Sequence, residues 1–307
     1  PTTPPSHHPY SSLPMRSTRS RPQRSTDSDW VFYTPESKIR HPLRMVRQMG
    51  RDLLASRELA WRLMVRDISA QYRQSFFGVI WAFVPPLITA VTLTFARNAG
   101  VVNIGDTDIP YPAYVMFSMA LWQTFTEALM GPIAAVTAAK PMLAKINFPR
   151  EAVVLAKLGE VFFNFAIKLL LIVALFLWFR IPVPWTVVLA PVALVHLIAF
   201  GTAIGLWLAP LGALYQDVTK ALPLIISPWL LLTPVVYPPP QSGAFGAIVQ
   251  LNPVTPLLVT TRDLATIGTV SNPMGFWLAS GLTLVLLLLG WLLYRLAMPF
   301  IVERMSA

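Results

Sequence analysis

At 307 residues, 55% hydrophobic and only 12% charged, with a mean hydropathy of +0.57, the chain departs from the composition of a soluble domain. Twenty-four Lys and Arg against 14 Asp and Glu leave a net charge of +10, and the lack of cysteine excludes disulfides, thiolate metal sites and cysteine nucleophiles. The four histidines, with His7 and His8 together in a Pro/Ser-rich stretch, form no metal cluster, so neither a metal site nor a catalytic residue is expected.

Residues 1–29 are rich in Pro, Ser, Thr and Arg and hold too little apolar surface to offset the entropy of ordering them. A largely disordered cytoplasmic tail is therefore expected over residues 1–42. It has no apolar core of a cleaved signal peptide, so the first membrane segment is expected to be a retained span. In residues 43–77, Trp61, Met64, Val65, Ile68 and Tyr72 recur at helical spacing on one face, while Arg62, Arg66 and Arg73 share another. This pattern predicts an amphipathic helix in the cytoplasmic interface. Its arginines fit two roles: a membrane anchor, or a contact to the phosphate of a lipid-linked substrate.

Six apolar stretches follow, at 78–97, 111–138, 153–179, 185–210, 221–237 and 273–295. Each approaches the roughly 20 residues that a helix needs to cross a ~30 Å hydrocarbon core. The expected fold is all-α, with residues 78–307 forming a six-span membrane domain and no appended soluble catalytic domain. Between spans five and six, residues 244–250 and 254–267 are moderately apolar, are broken by Asn252-Pro253 and Pro256, and are too short to cross. They read as short extracytoplasmic re-entrant or gate helices. Thirteen Lys and Arg precede the first span, and Lys140, Lys145, Arg150, Lys157, Lys220, Arg295 and Arg304 fall on the same side. Only Arg97, Arg180 and Arg262 fall opposite, which puts both termini in the cytoplasm by the positive-inside rule. The net charge then meets anionic lipid and calls for no nucleic acid.

After span two, Pro141 and Pro149 bracket a short segment in which Met142, Leu143, Ile146 and Phe148 stand beside Lys145, Arg150 and Glu151. It reads either as a charged loop that sets topology or as a rigid ridge that seats in a cytoplasmic partner. Span three carries Glu160, Asn164 and Lys168 at i, i+4 and i+8, with Glu127 and His196 as possible partners. Exposing an ionisable group to lipid costs ~2.5–3.5 kcal/mol on insertion scales, so the stripe faces protein or water. It either fixes helix packing or forms the hydrated lining of a pathway. Tyr114, Phe117 and Trp122 are candidates to line such a pathway, although most of the ten tryptophans lie near span ends, where interfacial belts account for them. Span five holds Pro223, Pro228 and Pro234 and runs into Pro238-Pro239-Pro240, implying an unwound end that is either a gate or a static plug.

Several of these segments are familiar together. Leu63-Met64-Val65-Arg66-Asp67-Ile68, Tyr72-Arg73-Gln74-Ser75, Gly78-Val79-Ile80-Trp81 and Pro85-Pro86-Leu87 resemble the opening segment of ABC type-2 permeases of the polysaccharide-export branch. In order come Lys145-Ile146-Asn147-Phe148-Pro149-Arg150-Glu151, Tyr215-Gln216-Asp217-Val218, Thr233-Pro234-Val235-Val236-Tyr237 and Asn252-Pro253. The resemblance covers about residues 45–295, departing where Gln216 replaces the family's usual arginine.

The resemblance implies a transporter half: two copies of this chain, two copies of a separate ABC ATPase, and a lipid-linked glycan substrate in the bacterial cytoplasmic (inner) membrane. It casts the Lys145–Glu151 segment, with Met142 and Leu143, as the ATPase-coupling loop, Arg66, Arg73 and Arg262 as headgroup candidates, and Pro234, Tyr237, Asn252 and Pro253 as a gate. No Gly-rich phosphate loop ending in Gly-Lys-Ser/Thr occurs, so ATP and Mg are expected in the partner and no cofactor in this chain. The rival readings are an ABC type-2 exporter of a small lipid or drug, an integral glycosyltransferase using Asp106-Thr107-Asp108, and a secondary transporter, for which no internal repeat is seen.

Overall fold

The computed structural model describes residues 50–73, 78–143, 148–240 and 242–306. The expected tail, residues 1–42, lies outside them, as do Lys145 and Ile146 of the expected coupling loop. Among the described residues every regular element is helical. In chain order these are α1 (Arg57–Arg73), α2 (Val84–Asn98), α3 (Tyr111–Leu143), α4 (Glu151–Trp178), α5 (Ala190–Leu214), α6 (Gln216–Leu231), α7 (Gly243–Leu251), α8 (Val254–Thr266) and α9 (Pro273–Ser306). Short 3-10 turns at Gly78–Ala82 and Trp185–Leu189 lead towards α2 and into α5.

Three segments combine the length and apolarity to cross a membrane: Glu151–Trp178, Trp185–Leu214 and Pro273–Arg304. The α7–α8 pair, bent by 87°, makes a fourth if it is one broken span. The helix α3 has 33 residues, about 50 Å, and is long enough, but it carries Gln123 and Glu127 and buries most of its length in protein. By contrast α2 and α6, of 15 and 16 residues, reach only about 22–24 Å each. Proline accounts for both: Pro85-Pro86 open α2, and Pro223, Pro228 and Pro234 bend and end α6.

The core is α3 packed on α5. Lipid is as apolar as leucine, so helices in a membrane associate through close packing rather than through burial from water. Gly201, Gly205, Ala209 and Gly212 form a small-residue stripe on one face of α5. A Cβ added at Gly201 would lie 2.6 Å from the Phe125 carbonyl oxygen, and one at Gly212 would lie 2.5 Å from Ile133. At Gly205 it would collide with the Leu129 carbonyl and the Pro132 ring. The missing side chains thus set how near α3 approaches. On the other side of α5, Gly290 of α9 admits the Trp207 indole, whose Nε1 donates to the Leu286 carbonyl at 3.0 Å.

The helix α1 packs on α4. Ala60 and Leu63 are buried, Met64 sits against Gly159 of α4, and Tyr72 meets Phe163 with ring centroids 6.2 Å apart. Trp61 and Val65 are exposed.

Candidate functional site

At one end of the bundle, the proline-broken terminus of α6 is held by three side chains from two other helices, α3 and α8. Tyr111 donates its hydroxyl to the Val236 carbonyl at 2.9 Å, and Tyr114 donates to the Tyr237 carbonyl at 2.8 Å. Arg262 of α8 donates from Nη1 to Ser118 Oγ at 3.1 Å and to the Pro234 carbonyl at 3.2 Å. Its guanidinium lies 4.2 Å from the Tyr114 ring centroid, a cation–π contact. Pro238 and Pro240 lack the N–H groups that a continuing helix would offer the Pro234 and Val236 carbonyls, and buried acceptors need partners. The three side chains supply them.

Asn252 is the hub of the bend. Its Oδ1 accepts from Val254 N and Trp229 Nε1, each at 3.1 Å, and its Nδ2 donates to the Leu232 carbonyl at 3.1 Å and Thr233 Oγ1 at 2.9 Å. Pro253 follows as the residue that opens α8. Asp263, also buried, accepts from the backbone N–H and hydroxyl of Ser271 at 3.1 and 2.6 Å. Gly268, at φ +88°, ends α8 in the left-handed region against Pro184. Pro234, Tyr237, Asn252 and Pro253 therefore come together, and Arg262 joins them rather than Arg66 and Arg73. Arg262 is 3% exposed and its Nη1 donates within the chain.

At the midpoint of α3, Glu127 forms an ion pair with Lys168 and accepts from Asn164 Nδ2 at 3.2 Å. Lys168 is 3% exposed, whereas the Glu127 side chain is 34% exposed. Glu160 pairs within its own helix, to Lys157 at 2.7 Å. Tyr72 of α1 stands close enough that burial first, and the Glu127 and Glu160 charges second, raise its pKa. His196 is elsewhere, with Nδ1 at 2.8 Å from the Val192 carbonyl and its ring against Phe276. Tyr114, Phe117 and Trp122 are buried within the chain, Phe117 edge-on to Phe176 and Trp122 edge-on to Trp229.

At the opposite end, Met142 and Leu143 close α3 and Phe148 packs half-buried on the core, with Pro149 exposed. Tyr294 of α9 donates to the Arg150 carbonyl at 3.1 Å. Arg295 forms an ion pair with Asp52, and its Nη1 lies 3.8 Å from Glu151 Oε1. The base of the loop is thus tied to both the chain before α1 and the last helix. Nothing local in sequence announces these ties, which span 144 and 243 residues. A crevice of about 150 Å³ between α1, α3 and α4 is lined by Arg66, Lys157, Met142 and a floor of alanines. Arg66, next to Asp67 at 2.8 Å, and Arg73 are exposed. At the other end Asp106 pairs with Arg97 at 3.6 Å, and among the described residues no three acidic or histidine side chains gather to hold a metal.

Residues 58–264, α1 through nearly all of α8, match the model of the ABC-2 type transporter family. An O-antigen export system permease protein RfbA from Myxococcus xanthus is 25% identical over 227 residues, covering 72% of this chain and 84% of that protein. One of the same name from Klebsiella pneumoniae is 22% identical over 209 residues, covering 67% of this chain and 79% of that protein. With the family match spanning more than half of its length, this multi-pass membrane chain belongs to the ABC-2 type transporter family.

Proposed function

We propose that this chain is the permease subunit of an ATP-driven exporter that carries a lipid-linked, O-antigen-like polysaccharide across the bacterial inner membrane. The observation that carries this reading is the family match over residues 58–264, joined to relatives named as O-antigen export permeases that align over most of their own length. The same family match supports a membrane subunit rather than an enzyme, with ATP and Mg bound by a separate ATPase. In this reading the chain has six spans and cytoplasmic termini. Two copies enclose the pathway, and two ATPases dock beneath them.

The residues divide the work by position. Phe148, Pro149 and the neighbouring Met142–Glu151 residues form the seat for the ATPase. Their ties to Asp52, Tyr294 and Arg295 would pass a push on the loop to the chain before α1 and to α9. Arg66 and Arg73 meet the substrate phosphate, since guanidinium grips phosphate by charge and by two parallel hydrogen bonds. The crevice beside Met142 sets Arg66 next to the coupling loop, so headgroup arrival and ATPase contact share one surface. Asn252, Arg262 and Tyr114 hold the far end, where the α6 terminus and the α7–α8 bend form the gate. Glu127, Asn164 and Lys168 pin α3 to α4, while the exposed part of Glu127 offers acceptors to sugar hydroxyls.

Vesicles reconstituted with the chain and its ATPase should contain two copies of each. They should move lipid-linked polysaccharide only when ATP is supplied. ATP-dependent movement of a small lipid or drug, with the glycan left in place, would move the chain to the rival branch.

A further inference from the structure

On the membrane-facing side of the coupling loop, α4, α5 and α9 leave an open-sided groove of about 170 Å³. Leu158 of α4, Thr202 and Leu206 of α5, and Leu287 and Trp291 of α9 form its walls, and Leu53 from the helical residues before α1 covers one end. Glu151 and Tyr294 also line it. The Tyr294 hydroxyl donates to the Arg150 carbonyl at 3.1 Å, and one Glu151 carboxylate oxygen lies 3.8 Å from Arg295. The Thr202 hydroxyl donates back to the Ile198 carbonyl at 2.8 Å. Water needs about two to four polar partners to settle in a cavity, and these walls offer almost none. The groove therefore selects an apolar occupant.

Its surroundings say which one. The three walls belong to the three segments long and apolar enough to cross a membrane, and most of the apolar surface of α4 and α9 faces outward. The medium at the mouth of the groove is thus hydrocarbon. Glu151 begins α4, and Leu158 lies seven residues further in, about 10 Å, so the groove starts at one headgroup level and runs toward the bilayer centre. The candidate headgroup contacts, Arg66 and Arg73, belong to α1 and contribute nothing to this groove, which argues against the substrate's carrier as its tenant.

We infer that the groove between α4, α5 and α9 is a binding site for one acyl chain of a cytoplasmic-leaflet phospholipid, lodged against the base of the α3–α4 loop. This rests on the membrane orientation proposed above, but not on the identity of the cargo. Narrow apolar grooves hold chains by close contact, so a bulkier wall residue displaces the lipid.

The test is lipid retention by the full-length chain, co-purified with its ATPase in mild detergent and read by native mass spectrometry with lipid extraction. Wild type should retain glycerophospholipid, and Thr202→Leu and Leu158→Phe, which fill the groove from opposite walls, should lose it while keeping helix content and elution unchanged. Equal retention in folded variants, no phospholipid on wild type, or a polyprenyl chain as the retained species would each overturn the inference. A second measurement needs no groove-filling variant. Vesicles of chain-brominated phosphatidylcholine should quench the Trp291 emission, isolated as the difference between wild type and Trp291→Phe, and an unquenched Trp291 would equally overturn it. Retention does not depend on export, so a failed transport assay would leave this result standing.

Discussion

Arginine and glutamine differ at a phosphate in both charge and shape, which makes α1 the place to test substrate recognition. Arg66→Gln and Arg73→Gln should lower export and substrate-stimulated ATPase activity while sparing basal ATPase activity and membrane insertion; Arg→Lys should restore export only in part. Normal export by both Gln variants would leave these arginines as membrane anchors. The Glu127–Lys168 pair makes a second, asymmetric prediction. Its ammonium is buried and its carboxylate one-third exposed, so removing Glu127 strands a charge that nothing can solvate, whereas removing Lys168 leaves one that water can reach. Breaking a buried pair costs up to about 3–5 kcal/mol, and Glu127→Ala should approach that figure while Lys168→Ala falls well below it. Thermal unfolding of the two variants in detergent would show the order, and equal or reversed losses would contradict it. Sequence named all three members of this cluster, because charges within apolar runs demand partners. It could not reject His196, since only the α3–α4 hairpin decides which of two distant groups arrives.

Among the elements, the loop between α3 and α4 and the face between α3 and α5 carry opposite consequences. Phe148 is half-buried at the foot of the loop, so Phe148→Ala should fold and insert normally yet weaken ATPase binding or uncouple ATP turnover from export. Wild-type export with a normal yield of complex would make the loop a topological element only. Gly205→Val, by contrast, drives two methyl groups toward the Leu129 carbonyl and the Pro132 ring. Overpacking of this kind costs about 1–3 kcal/mol, and a lower melting temperature with reduced folded yield should follow. An unchanged melting temperature would mean that α3 and α5 are not in close register. The helices themselves were legible from apolar runs, since each long run after residue 110 became one. The contact of α1 with α4 was not. Met64 meets Gly159 and Tyr72 meets Phe163, partners that tertiary packing alone brings together. Prolines foretold the broken end of α6, whereas its partners Tyr111, Tyr114 and Arg262 lie 28 to 125 residues away and are set by tertiary packing alone.

At the scale of the whole molecule, one polar layer ties α3 to α4 at mid-length, a hydrogen-bonded knot closes one end, and an ion-paired loop base marks the other. That arrangement suits a chain pushed at one end and opened at the other. In the proposed function an ABC-2 permease draws its energy from a separate ATPase, and the coupling, headgroup and gate roles proposed for the α3–α4 loop, the α1 arginines and the α6 terminus belong to that assembly. The most direct test of polysaccharide export is mass spectrometry of lipid-linked glycans, together with surface-glycan staining, in a strain lacking this chain. Loss of the surface polymer with build-up of its lipid-linked form inside the cell, reversed by the wild-type chain, is the predicted result; unchanged surface glycan with no accumulated precursor would contradict it.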